Sequence, residues 1–235
     1  MKGINFKLES IQAILNGSKT QTRRLIKPQP IDKPIQDAYE WWHWVDNKCI
    51  TYDKHSPYRI GETVYIKEAL YKSPSYDVTN GKHFAYYKSD NLIVVGGRWE
   101  WTHNTLSPLF MPEWATRYFI TITDVRAERL QEITDVDAVA EGIIVEKGHY
   151  IVVARPSENG AAYATPRDAY FVLWNTINAK WKRVYNTELK IYEFWQFPWC
   201  EADAIPIPKT TKHPERYHCI PNPWIFVYTF RMARR

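Results

Sequence analysis

An amine, two threonine hydroxyls and two guanidinium groups crowd into one short segment, Gly17-Ser18-Lys19-Thr20-Gln21-Thr22-Arg23-Arg24. No acidic residue stands between Glu9 and Asp32, whereas Lys19, Arg23, Arg24 and Lys27 are all basic, so the local field attracts phosphate or another anion. The same composition also describes a solvated basic turn, since surface lysines and arginines are common. The chemistry within reach is amide hydrolysis, which needs a nucleophile, a base to activate it and donors for the oxyanion. Lys19 serves as the base if its pKa falls towards ~7–8, and the charges of Arg23 and Arg24 push it that way. Thr22 is then a nucleophile or the group that orients a water. Residues 19 and 22 point to opposite faces of a straight strand, so they meet only if the chain turns between them. For Thr20 and Thr22 the competing reading is β-branched strand filling. Lys67-Glu68 offers a second carboxylate; as a plain cross-strand ion pair it is worth under ~1 kcal/mol.

The elements that must hold these groups are legible in part. Leu8, Ile11, Ile14 and Leu15 recur at helical spacing, and Gly17 stands where a helix stops in a left-handed residue. Pro28, Pro30 and Pro34 then force an extended connection. Trp41, Trp42 and Trp44 read as the cover of a core edge or as a ligand grip. Strands are expected over 61–68, 84–88, 92–95 and 118–125, with Gly96-Gly97 as a hairpin turn. Thr134 caps a helix, with Asp137 as the acidic half of a capping box and Gly142 as its end. Thr165 caps another that starts on Pro166, carries Asp168 at its third position, and sets Tyr170, Leu173, Trp174 and Ile177 on one side. The stretch 182–219 is aromatic and proline-interrupted, with one expected strand at 189–194, and Trp224 to Phe230 reads as a buried strand.

With 235 residues, no linker and no internal repeat, the chain is expected to form a single α+β domain around a small barrel. Its 11 Trp and 16 Tyr suffice for a sizeable core and leave rings for stacking on flat ligands. A net charge of +5 and a pI near 8.9 permit nucleic-acid binding without demanding it. Cys49, Cys200 and Cys219 form no CxxC pair, which fits a reducing cytoplasm. No signal peptide or membrane span is read. His213, His218 and Cys219 lack the second partnered pair of a zinc site, so no metal and no cofactor is expected.

Gly-x-Lys-Thr-x-Thr-Arg behind an apolar helix resembles the signature of the ASCH family, and the chain is particularly similar to its phage and prophage members. Pro28-Gln29-Pro30, Gly61-Glu62, Lys67-Glu68, Tyr87-Lys88-Ser89-Asp90, Met111-Pro112, Trp114-Ala115-x-Arg117, Leu130-Gln131, Ala140-Glu141-Gly142, Leu173-Trp174-Asn175 and Asn222-Pro223-Trp224 follow in the family's order. Leu70 departs from the tryptophan common in phage relatives. The resemblance implies a PUA-like mixed β-barrel of five or six strands with flanking helices, spanning 1–235 with an insertion at about 182–219. It also implies a nucleic acid or modified nucleoside as partner, and a bacterial host cytoplasm if phage-encoded. Small members hydrolyse N4-acetylcytidine with a lysine, a threonine and a glutamate, which match Lys19, Thr22 and Glu141. Thr20, Arg23, Arg24, Lys67 and Glu68 are then expected to bind nucleic acid or substrate. A non-catalytic reader of RNA or modified DNA and a phage assembly factor are the rival functions. Glu141, at the negative end of its helix dipole, is placed as if it had a cationic partner such as Lys19 or Arg23.

Overall fold

The computed structural model describes residues 1–27, 29–30, 33–36, 41–45, 48–51, 58–79, 81–146, 148–152, 162–178, 180–186, 190–196, 199 and 222–233. It is a mixed α+β structure, mostly sheet with few helices, and among the described residues no sheet closes into a barrel. The chain divides into two compact units, one of Met1–Gly17, Ile60–Thr123 and Phe230–Arg235, the other of Ser18–Arg59 and Asp124–Thr229.

In the first unit, strand Gly3–Asn5 pairs in parallel with Thr63–Lys67, which pairs antiparallel with the start of the long strand Phe119–Arg129. Helix α1, Leu8–Leu15, buries Ile11, Ala13 and Ile14, and Gly17 at φ +82° turns the chain away, a conformation that costs glycine nothing. Four antiparallel strands follow in the order Thr105–Leu106, Leu70–Asp77, Lys82–Tyr87, Ile93–Arg98. Leu70, Tyr87, Val94, Trp99, Met111 and Ala115 form their core. Gly96-Gly97 does not make the expected hairpin turn. Both lie inside Ile93–Arg98, where Gly96 takes φ +71° and the register against Lys82–Tyr87 slips, the signs of a glycine-dependent bulge.

In the second unit, Gln21–Leu25 pairs antiparallel with residues 225–229 of the strand Trp224–Met232, so the basic segment is largely a strand and not a turn. Ile225 and Val227 are fully buried against helix α2, Asp135–Ala140, and helix α3, Pro166–Asn178. Both helices start as their sequences dictate: the Thr134 hydroxyl accepts from the Asp137 amide and the Thr165 hydroxyl from the Asp168 amide, each at 3.1 Å. Tyr170 and Trp174 are buried; Ile177, in the last turn, is more exposed. Three short strands, Ile144–Glu146, His149–Ile151 and Ala162–Tyr163, form an antiparallel sheet. Trp41, Trp42 and Trp44 lie on a strand, Trp41–Val45, and their side chains lie outside the described residues. The stretch read as irregular opens with a regular hairpin, Lys180–Asn186 against Lys190–Gln196, while residues 200–221 lie outside the described residues. No described helix is long and apolar enough to cross a membrane.

Trp174 is the largest fully buried side chain of the second core. Trp174→Ala is expected to cost about 3–5 kcal/mol and Thr134→Ala about 1 kcal/mol, read as lower urea midpoints at unchanged slope.

Candidate functional site

The candidate site assembles in the second unit around one carboxylate. Helix α2 ends at Glu141, which forms an isolated antiparallel bridge with Lys19; the Thr20 amide donates to the Ala140 carbonyl at 2.8 Å. This backbone stitch brings the Lys19 ammonium to the Glu141 side chain. Lys19 Nζ donates to Glu141 Oε2 at 2.7 Å and to the Glu141 carbonyl at 2.6 Å. Arg23 Nη1 takes the other carboxylate oxygen, Oε1, at 3.2 Å. Lys19, Arg23 and Glu141 are each only 5% exposed.

Strand geometry explains the grouping. Arg23 lies across from Val227 and Thr22 across from Tyr228, so side chains alternate between two faces. Arg23 faces α2 and α3 with Val227, and its guanidinium carbon lies 5.7 Å from the Tyr170 ring centre. Thr22, also buried, shares the other face with Tyr228, whose ring packs edge-on against Tyr58 at 5.3 Å. No hydrogen bond joins the Thr22 hydroxyl to Lys19 or Glu141 among the described residues. Thr20 is exposed and Arg24 half-buried.

The residues that complete the cluster carried no clear signal in the motif. Arg23 Nη2 reaches Glu128 at 2.9 Å and Asp137 at 3.3 Å, and Arg126 bridges the same two acids at 3.1 and 2.9 Å. Asp137 therefore serves arginines rather than the reciprocal half of a capping box. Asp137 and Glu141 stand four apart on α2, where like charges repel, and Arg23 offsets this by lying between them. Lys19, Arg23 and Arg126 balance Glu128, Asp137 and Glu141, so the basic segment's field is largely neutralised at Arg23.

Burial holds the Lys19 ammonium below its ordinary value, and Glu141 opposes this without overcoming it, while Arg24 and Arg23 add to the lowering. Arg23 is raised: burial disfavours its charge, but Glu141 outweighs burial together with its other neighbours. Burial, then Glu141, lifts the Tyr170 phenol well above its ordinary range. Burial would raise Asp137, yet hydrogen bonding from Gln21 and the charges of Arg126 and Arg23 hold it low.

Lys67 and Glu68 belong to the first unit and take different partners. Lys67 Nζ donates to the Leu109 carbonyl at 2.9 Å. Glu68, 2% exposed, is paired with Arg117 rather than Lys67: Nε and Nη2 reach its two oxygens, both at 2.8 Å. Ser89 donates to Glu68 at 2.9 Å, Arg117 also holds Asp90 at 2.7 Å, and its guanidinium lies 3.8 Å from the Tyr87 ring centre. Burial pushes the Tyr87 phenol up to about 12. His213, His218 and Cys219 lie outside the described residues.

Compared with known proteins, the chain matches no family model, no curated relative and no solved structure.

Removing one partner of a buried ion pair strands the other, so Glu141→Gln is expected to cost about 3–5 kcal/mol. The paired replacement Lys19→Met with Glu141→Leu should cost less than that single change, as urea midpoints will show. The pH dependence has a definite sign. Because Lys19 titrates below 10.5 when folded, the unfolded chain holds a proton there that the folded chain gives up, and stability rises with pH across that window. Tyr170 acts oppositely above pH 10.0, where the folded chain keeps a proton the unfolded one sheds. Urea midpoints between pH 7 and 10 should rise in the wild type and flatten in Lys19→Met.

Proposed function

We propose that this chain is a PUA-like ASCH protein that binds a nucleobase or nucleotide, its recognition centred on Lys19 and Glu141. The observation that carries the reading is the Lys19–Glu141 contact at 2.7 Å, with the second carboxylate oxygen held by Arg23. A lysine whose charge burial disfavours, beside a carboxylate fixed at both oxygens, offers a donor and an acceptor at set positions. The Watson–Crick edge of a base demands that combination. Three features support it together: the order of the family motifs, the grouping of Lys19 with Glu141, and the lowered pKa of Lys19.

On an N4-acylated cytosine the same pair supports hydrolysis. In its amine form, Lys19 takes a proton from water as the water oxygen attacks the acyl carbon. The carbon to N4 bond then breaks, the proton passes to N4, and a carboxylic acid leaves. Because Thr22 faces away from the pair, water and not the Thr22 hydroxyl is the nucleophile in this scheme. A non-catalytic reader is the second reading. It is favoured by that same direction of Thr22; the burial of Arg23 among three acids leaves phosphate contact to other residues in either reading.

Incubation with N4-acetylcytidine, followed by chromatography, is expected to show deacetylation that Lys19→Ala abolishes while circular dichroism stays native. A thermal shift with N4-acyl cytosines but no turnover transfers the assignment to the reader. Neither shift nor turnover across a panel of modified nucleosides overturns both.

A further inference from the structure

A row of three indoles runs from the core of the first unit to its surface. Trp99 is buried and its indole N–H donates to the His103 carbonyl at 2.9 Å. Trp101 packs edge-on against it at 4.9 Å, and Trp114 lies near-parallel to Trp101, with an interplanar angle of 16° and ring centres 6.4 Å apart. Trp114 is nevertheless 53% exposed. Its backbone is not loose: the neighbouring Ala115 is buried, and the Ala115 carbonyl accepts from the Tyr87 hydroxyl at 2.6 Å. Met111, three residues earlier, is buried as well. A large apolar ring held out from a pinned backbone and supported from behind is a built surface.

Trp114 forms a wall of an open groove of about 1140 Å³. That exceeds the ~300–1,000 Å³ usual for enclosed small-molecule sites and suits a chain-like ligand. The floor is sheet: Thr63 and Thr121 face each other with hydroxyl oxygens 3.3 Å apart, and Phe119 is on the same face. Arg231 lines the groove, is exposed, and has no carboxylate partner among the described residues. The acid of the groove, Glu113, is neutralised by the Met1 amine at 2.6 Å. Aromatic faces, hydroxyls and an uncommitted guanidinium without opposing negative charge are the features that bind unpaired bases and their phosphates.

We infer that this groove binds single-stranded nucleic acid, with a base stacked on Trp114 and a phosphate on Arg231. The site lies wholly within the first unit and does not depend on Lys19, so this assay and the nucleoside assay fail separately. The probe is a fluorescein-labelled 15-mer of thymidylate, with a uridylate 15-mer as the second arm, titrated by anisotropy at several salt concentrations. Trp114→Ala is expected to weaken binding by about tenfold, within the range of one lost base stack, while Trp114→Phe keeps it within about threefold. Arg231→Ala should reduce the slope of log affinity against log salt by about 0.7, one phosphate on a single strand. Equal affinity for wild type and Trp114→Ala, or no binding of either strand at low salt, overturns the assignment. So does a wild-type protein whose self-association, by sedimentation, is what Trp114→Ala removes, because the surface then belongs to a second copy of the chain.

Discussion

The second unit is organised by one carboxylate that answers two cations. Glu141 closes α2, and its oxygens are divided between Lys19 and Arg23, all three buried. Taking these charges out of water is costly, and their attraction offsets that cost only where the geometry is good and further hydrogen bonds are made. The surrounding architecture supplies several of them. Glu128 and Asp137 occupy the rest of the Arg23 fork, and Arg126 ties those acids together from the solvent side. The apolar frame is equally necessary, since Val227, Ala138 and Tyr170 are buried in the core beside it.

The first unit solves a similar problem by other means. Glu68 is buried, and Arg117 meets it with a two-point fork while an aromatic face lies against the guanidinium. Hydrogen bonds donated to Glu68 and Asp90 hold the Arg117 charge firmly even though burial opposes it. The two clusters differ in what they leave over. The Arg117 fork holds two carboxylates and a hydroxyl, whereas burial keeps the Lys19 ammonium below its ordinary value.

Local signals in the sequence were faithful where the physics is local. The α1 helix with its Gly17 stop, the Thr134 and Thr165 caps and the Trp224 strand each depend on a few neighbouring residues, and each is present in the structure, although of the α1 stripe only Ile11 and Ile14 are buried while Leu8 and Leu15 are exposed. The motif Lys19 to Arg24 and the placement of Glu141 at a helix end marked the pair that the fold brings together. What escaped reading is non-local. Glu128 and Arg126 alternate on a strand in a way shared by many exposed strands, and only the return of α2 over the Gln21–Leu25 strand makes them partners of Arg23. Asp137 looked like a capping carboxylate because the spacing from Thr134 is right, yet an arginine close by is a stronger partner than an amide. Gly96-Gly97 misled for a related reason: glycine permits a left-handed residue in a turn and in a bulge alike.

The contact between Lys19 and Glu141 also has a direction. Lys19 donates to the carboxylate and to the backbone carbonyl of the same residue, so the ammonium clasps the helix terminus as well as the side chain. Exchanging the two residue types would conserve charge but set a carboxylate against a carbonyl oxygen, two acceptors with no proton between them. The pairing is therefore one-way: the donor belongs at position 19 and the acceptor at position 141.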